Sequence, residues 1–198
     1  MPLAVKGMRI GLFGGSFNPP HDGHLLISKL ALRKLQLDRI WWIVSPGNPL
    51  KEHSSLARLP DRLAACREIT DHPRIDVTAF EVDLDSAFTA NTLDHARERR
   101  PGVDFVWIMG ADNLKQFHEW QRWRDIAQTM PIAVVDRPGS TLSYRSAKAA
   151  LALARYRIDE TDAALLANMN PPAWTFLHGP RSHLSSSAIR ANREQKAR

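Results

Sequence analysis

The chain of 198 residues has almost no cysteine and no long apolar run. Cys66 is its only cysteine, so no disulfide can form within the chain and a cluster of thiolate metal ligands is excluded. The first residues, MPLAVKGMRI, lack the apolar core of a signal peptide, and no apolar run approaches the ~20 residues that span a bilayer. These absences predict a cytoplasmic protein without a membrane partner.

Common nucleotide-binding signatures, linkers and repeats are missing as well. The chain contains neither the Gly-Lys-Ser/Thr of a P-loop nor the GxGxxG of a dinucleotide site. No Gly/Ser-rich linker, change in composition or internal repeat divides it. We therefore expect one domain over residues 1–198.

Acidic residues are outnumbered by basic ones. Lys and Arg total 27 against 21 for Asp and Glu, which gives a formal net charge of +6, and the pI is near 9.9. This excess suits a nucleic acid and small phosphorylated substrates equally well, so charge alone does not separate these two classes of partner.

Apolar runs alternate with stretches of helical pattern along the chain. Strands are predicted at 8–13, 39–45, 74–82, 103–109, 131–136 and 174–178, and helices at 24–37, 61–70, 92–100 and 186–194. Strands that alternate with helices build βαβ units. The sequence therefore predicts a Rossmann-like α/β fold, with a doubly wound, mainly parallel sheet and helices on both faces.

Three polar clusters, at 14–24, 45–51 and 110–112, directly follow predicted strands. In doubly wound sheets, ligands bind beyond the carboxyl ends of the strands, near the point where the strand order reverses. We therefore expect the three clusters to share one active site.

The first cluster, GGSFNPPHDGH at 14–24, has the composition of a phosphate-binding loop. Gly14 and Gly15 allow backbone turns that expose N–H groups toward an anion, and the following helix directs its dipole to the same space. His21 and His24 can share one face and, when protonated, donate to phosphate oxygens. A Gly-Pro turn with two surface histidines is the ordinary alternative, and a zinc pair lacks an obvious third ligand.

The same stretch resembles the (T/H)xGH signature of the nucleotidyltransferase superfamily, whose members join a phosphorylated substrate to the adenylate of ATP. LSSSAIR at 184–190 resembles the second signature of that superfamily, ISSTxxR. Four further stretches narrow the resemblance to the bacterial nicotinate mononucleotide adenylyltransferases: VSPGNPLK (44–51), SAFTANTL (86–93), GADNLKQFHEWQRW (110–123) and DRPG (136–139).

The resemblance implies a role for each matching residue. His21 and His24 would be catalytic, stabilising charge at the α-phosphate, and ATP would be bound by Gly14, Gly15, Ser16, Phe17, Gly110, Asp112, Ser186, Ser187 and Arg190. The mononucleotide would be bound by Asn48, Lys51, Thr89, Ala90, Trp120, Gln121 and Arg137, with Trp120 stacked on the nicotinate ring.

Some positions depart from the family pattern or have an ordinary explanation. Asn18 replaces a common Asp, and NPLK at 48–51 replaces PPHK. Trp120 and Trp123, three residues apart, can also be read as core residues of one helix. Asp112 can equally be read as the N-cap of the next helix.

The implied activity is in-line attack by the 5′-phosphate of nicotinate mononucleotide on the α-phosphorus of ATP, which gives deamido-NAD and pyrophosphate. ATP and nicotinate mononucleotide would be the partners, and Mg²⁺ would arrive on the ATP phosphates. Two rivals stay open: an adenylyltransferase of the same fold for nicotinamide mononucleotide or another phosphorylated substrate, and a non-catalytic nucleotide- or nucleic-acid-binding protein. Nucleic acid is not expected, because no RNA-binding aromatic signature or zinc finger appears. A homo-oligomer is left open.

Overall fold

Strands and helices alternate along the chain in the computed structural model, which describes residues 1–47, 56–84, 88–138, 143–180, 182 and 184–196. The strands are β1 (Arg9–Gly15), β2 (Arg39–Val44), β3 (Ile75–Thr78), β4 (Asp104–Gly110), β5 (Ile132–Val135) and β6 (Trp174–Leu177). The α-helices are α1 (Asp22–Lys34), α2 (Leu59–Ile69), α3 (Thr89–Arg99), α4 (Ala111–Gln116), α5 (Trp123–Thr129), α6 (Lys148–Ala152) and α7 (Ser186–Lys196). Short 3₁₀ helices cover Phe80–Asp83, Phe117–Glu119, Ser143–Ser146, Ala154–Tyr156 and Glu160–Asn168.

The strands form one parallel sheet in the order β3-β2-β1-β4-β5-β6. The order reverses between β1 and β4, which lie side by side, so a crevice is expected at their carboxyl ends. Gly15 at the end of β1 lies opposite Val44 at the end of β2. The predicted Rossmann-like α/β class is confirmed.

Helices cover both faces of the sheet. Trp41 and Trp42 are adjacent in β2 and both fully buried, because successive side chains of a strand point to opposite faces. Trp41 packs in one core with Leu93 of α3, and Trp42 packs in the other with Leu30 of α1. Burial on both faces explains why β2 is a continuous apolar run rather than an alternating one.

The predicted strand at 74–82 is wrong in its second half. β3 ends at Thr78, which pairs with Ile43, the residue before the last residue of β2. Beyond Thr78 the chain leaves the sheet and turns into the 3₁₀ helix Phe80–Asp83, where Val82 is 55% exposed. The alternation of apolar and polar residues that predicts the strand continues to residue 82, although the strand itself ends at Thr78.

Several helices between β4 and β6 were not predicted. α4, α5 and α6 contain only six, seven and five residues, which is too short for a helical period to stand out from the sequence. The predicted helix at 24–37 begins earlier, at Asp22, and ends at Lys34, just before Gln36 takes a left-handed φ of 53°. No helix in the described ranges is long and apolar enough to cross a membrane.

Candidate active site

A cleft of about 610 Å³ opens at the carboxyl ends of β1 and β4. The predicted site residues that line it are Gly14, Gly15, Ser16, Phe17, His21, His24, Thr89, Gly110, Asp112, Trp120, Gln121, Arg137, Ser186, Ser187 and Arg190. Ala90 is buried in α3 next to Thr89, and Asn48 and Lys51 lie outside the described residues. All three polar clusters contribute to the cleft, the second through Ser45.

Gly14 and Gly15 do not form the backbone turn that the sequence predicts. Gly14 and Gly15 are the last residues of β1 and have no positive φ, so they make no turn. A Cβ at Gly14 would lie 2.6 Å from Cη2 of Trp107, so the missing side chain makes room for this indole. Phe17 instead takes the left-handed conformation, with φ 45°. Its ring is buried and stacks on Trp42 with centroids 4.9 Å apart.

His21 and His24 form a capping box at the start of α1. Nδ1 of His21 accepts a hydrogen bond from the Gly23 N–H at 3.1 Å, and Nδ1 of His24 accepts one from the His21 N–H at 3.2 Å. A Cβ at Gly23 would lie 2.8 Å from the His21 ring, so only glycine leaves room for this arrangement. The ring centroids lie 3.9 Å apart, and both residues line the cleft.

The surroundings of both imidazoles favour the neutral form of the ring. Burial, followed by the charges of His21 and Arg137, lowers the pKa of His24 from 6.5 to about 3. Burial and then Arg137 also lower the pKa of His21. Since Nδ1 accepts in both rings, each neutral ring carries its proton on Nε2, and donation by the two histidines to a bound phosphate stays a prediction.

The second signature packs directly against the first. Ser186 Oγ, at the start of α7, donates to the carbonyl oxygen of Pro19 at 2.9 Å. The Arg190 guanidinium donates to the carbonyl oxygen of Asn18, and Nη2 of Arg137 donates to that of Leu184 at 3.2 Å. The (T/H)xGH-like and ISSTxxR-like stretches thus form one continuous wall of the cleft.

Asn18 uses its oxygen atoms as acceptors. Its side-chain Oδ1 accepts a hydrogen bond from the Ala57 N–H at 3.3 Å, and its carbonyl accepts from Arg190. An amide oxygen replaces one carboxylate oxygen in the first contact, so the departure from Asp keeps an acceptor at this position.

Asp112 does not cap α4, so that alternative interpretation is wrong. Gly110 is the N-cap and Asp112 lies within the first turn. Its Oδ1 is 4.0 Å from Nε of Arg137, and its side chain is 59% exposed toward the cleft it lines. This geometry leaves a carboxylate oxygen available to a ligand hydroxyl.

Trp120 and Trp123 do not belong to one helix. Trp120 follows the 3₁₀ helix Phe117–Glu119 with an extended backbone, and Trp123 begins α5. Both rings meet the buried Phe117 edge-on, at centroid distances of 5.4 and 5.8 Å. Both indoles pack against the same core, and of the two only Trp120 lines the cleft.

A model of the cytidylyltransferase-like family matches residues 12–192. A probable nicotinate-nucleotide adenylyltransferase of Agrobacterium fabrum is 60% identical over 93% of this chain and 99% of its own length. A probable nicotinate-nucleotide adenylyltransferase of Brucella suis is 56% identical over 96% of this chain and 98% of its own length. The chain belongs to the nicotinate-nucleotide adenylyltransferases of this family. The Plasmodium falciparum nicotinic acid mononucleotide adenylyltransferase complexed with NaAD shares the fold, with a TM-score of 0.68 at 18% identity, over 93% of this chain and 83% of that one.

Two buried charged residues of this adenylyltransferase were missed by sequence reasoning. Arg62 of α2 is 2% exposed and Glu81 is 6% exposed. Thr92 Oγ1 donates to Glu81 at 2.6 Å, and burial raises the pKa of this carboxyl. Arg62 shares a helical face with Leu59, Leu63 and Cys66. An arginine in the middle of an apolar helical stripe was the sequence signal that could have predicted the burial of Arg62.

His24 is expected to stay neutral down to about pH 3. Its pKa of about 3 lies below the ordinary 6.5, so between these values the unfolded chain binds a proton that the folded chain does not. His24 therefore contributes stability that is complete above pH 6.5 and is lost as the pH falls toward 3. In NMR titrations, the His24 Cε1–H resonance, assigned by its loss in H24Q, should not shift between about pH 8 and 5. A midpoint near 6.5 would contradict the buried capping role.

Proposed function

We propose that the chain transfers the adenylyl group of ATP to nicotinate mononucleotide, giving deamido-NAD and pyrophosphate. The observation that carries this proposal is the convergence of both signatures on one cleft, where Ser186 and Arg190 bond the loop that leads to His21. Relatives that are 56–60% identical and named for this activity support it.

The triphosphate of ATP is assigned to the wall between α1 and α7. Both helices have more than ten residues and begin at the cleft, so their N-terminal amides and dipoles favour phosphate. The Nε2–H groups of His21 and His24 add two neutral donors, and Arg190 adds a positive charge. Gly110 and Asp112 follow at the end of β4, where the carboxylate suits the ribose hydroxyls.

The mononucleotide is assigned to the opposite side, at the start of α3. Thr89, Trp120 and Gln121 line the cleft there, and Thr89 is the first residue of α3. The indole suits stacking on a pyridine ring, and the helix N-terminus suits the nicotinate carboxylate. Arg137, which is next to Asp112 and Leu184, lies between the two sides and neutralises charge on both.

The reaction requires positioning and charge stabilisation more than proton transfer. An oxygen of the mononucleotide phosphate, ionised at neutral pH, bonds to the α-phosphorus as the bond from that phosphorus to the pyrophosphate oxygen breaks. Negative charge spreads over the non-bridging oxygens, and the donors on His21, His24 and Arg190 stabilise it. Neutral imidazoles serve here because they donate through Nε2 without needing to gain or lose a proton.

Mg²⁺ supplies further neutralisation of the phosphates when it is bound. Across the described residues, no group of three or more His, Cys, Asp or Glu side chains is arranged to hold a metal ion. In this proposal the ion is carried mainly by substrate oxygens and water.

The chain is proposed to work as a single cytoplasmic domain. The match of the family model to residues 12–192 and the contacts of α7 with the loop after β1 support one unit. In this proposal the basic excess of the chain serves phosphorylated substrates rather than nucleic acid.

Pyrophosphate release distinguishes the substrates. With ATP and Mg²⁺, nicotinate mononucleotide should give strong release, and nicotinamide mononucleotide should give a kcat/KM about tenfold lower or more, since the amide lacks the charge that the start of α3 favours. Equal pyrophosphate release with the two mononucleotides would support adenylyl transfer and contradict the selectivity for the acid over the amide. Release with neither would overturn the substrate assignment.

Removing one imidazole should slow the chemical step. H24A is expected to lower kcat by roughly two to three orders of magnitude, as for the loss of one charge-stabilising donor. H72A is the control, because His72 lies before the amino end of β3, whereas the cleft is at the carboxyl ends of the strands, and His72 does not line it. A folded H24A protein, checked by circular dichroism, with near-normal turnover would remove His24 from the mechanism.

Trp120 and Trp123 offer a matched pair of variants. W120A should raise KM for the mononucleotide about tenfold, because stacking of a base on an indole contributes ~1–3 kcal/mol, with little change in KM for ATP. W123A removes an indole that packs on the same Phe117 and should leave both KM values near normal. Similar effects of the two variants would assign Trp120 to packing instead.

A further inference from the structure

Arg62 is a buried arginine whose side chain bonds only main-chain oxygens within the described residues. It lies in the first turns of α2 and is 2% exposed. Its Nε donates to the carbonyl of Ala57 at 2.9 Å, and its Nη2 donates to that of Pro46 at 3.2 Å. Its Nη1 donates to the carbonyls of Ser16 and Ser45, both at 2.7 Å. One planar guanidinium thus joins three separate segments of chain.

Two of these segments are walls of the cleft. Ser16 belongs to the loop after β1, and Ser45 follows β2; both line the cleft. Fixing the carbonyl of Ser16 fixes the plane of the Ser16–Phe17 peptide, just where Phe17 takes its left-handed φ of 45°. Arg62 therefore sets the orientation of the backbone that leads into His21.

The same contacts set the distance between the two walls. Nη1 bonds the Ser16 and Ser45 carbonyls at once, so neither wall can shift without breaking a charge-assisted hydrogen bond. A lysine has three donors on one rotating nitrogen and lacks the rigid fork that reaches four carbonyls. The guanidinium also brings a permanent positive charge beneath a cleft built for polyanions.

We propose that Arg62 is a positioning residue for the reaction, locking the loop after β1 against the segment after β2 in the geometry that aligns the two phosphorylated substrates. The proposal rests on the adenylyl transfer proposed above. Arg62 acts through Ser16 and Ser45 and makes no contact with the reacting atoms. Misplacing reactants by about 1 Å lowers the rate roughly a hundredfold, so loss of the Arg62 contacts should lower kcat.

The test compares R62K and R62Q with R67K and R67Q, in which an exposed arginine of the same helix is changed. R62K should fold, lower kcat by about tenfold to a hundredfold, and raise the KM values by less than kcat falls. R62Q should be more impaired, and both Arg67 variants should match the wild type. Wild-type kcat in folded R62K would overturn the proposal. If neither Arg62 variant folds, Arg62 serves the stability of the fold alone, which also overturns it.

Hydrogen–deuterium exchange provides a readout that is independent of turnover. Amides in residues 14–18 and 45–47 should exchange faster in R62K than in the wild type, and R67K should leave them unchanged. Unchanged exchange in R62K would contradict the proposal that Arg62 holds the loop after β1 against the segment after β2. A wild-type protein that turns over neither mononucleotide would refute the proposed function, while the exchange data would still decide whether Arg62 holds the two walls.

Discussion

The site depends on hydrogen bonds between the two ends of the chain. Ser186 and Arg190 bond the carbonyls of Pro19 and Asn18, residues that are 167 and 172 positions earlier in the sequence. These bonds place the start of α7 beside the start of α1, so two positive helix ends face the same space. The sheet supports this arrangement because β1 and β4, whose carboxyl ends carry the loops, are neighbours at the point where the strand order reverses.

Most of the fold could be predicted because the central strands are buried on both faces. Runs such as the one containing Trp41 and Trp42 have no polar interruption, and only a covered parallel sheet accommodates them. The chain between β4 and β6 could not be predicted in the same way. Its helices are single turns and short segments. Tertiary packing holds them, because Leu114 of α4, Ile126 of α5 and Ala149 of α6 are buried in the same core as Trp41. A helical period needs more residues than these segments contain.

The candidate site could be predicted where its residues form contiguous motifs, as around His21 and Ser186. Arg62 could not be predicted as part of the site, because its partners are backbone carbonyls, which every residue has and no sequence pattern marks. The protonation of His24 also required the structure. Its low pKa follows from burial and from the positions of His21 and Arg137, which spacing alone does not give.

The contact between α7 and the loop after β1 also bears on the order in which the protein matures. During synthesis β1 and α1 leave the ribosome first and can begin to fold early, but Ser186 and Arg190 follow their partners Pro19 and Asn18 by 167 and 172 residues. This wall of the cleft therefore cannot be complete until Arg190 has left the ribosome. A nascent or prematurely terminated chain could form most of the sheet and still lack a finished active site, so folding and competence to bind substrate would be separated in time.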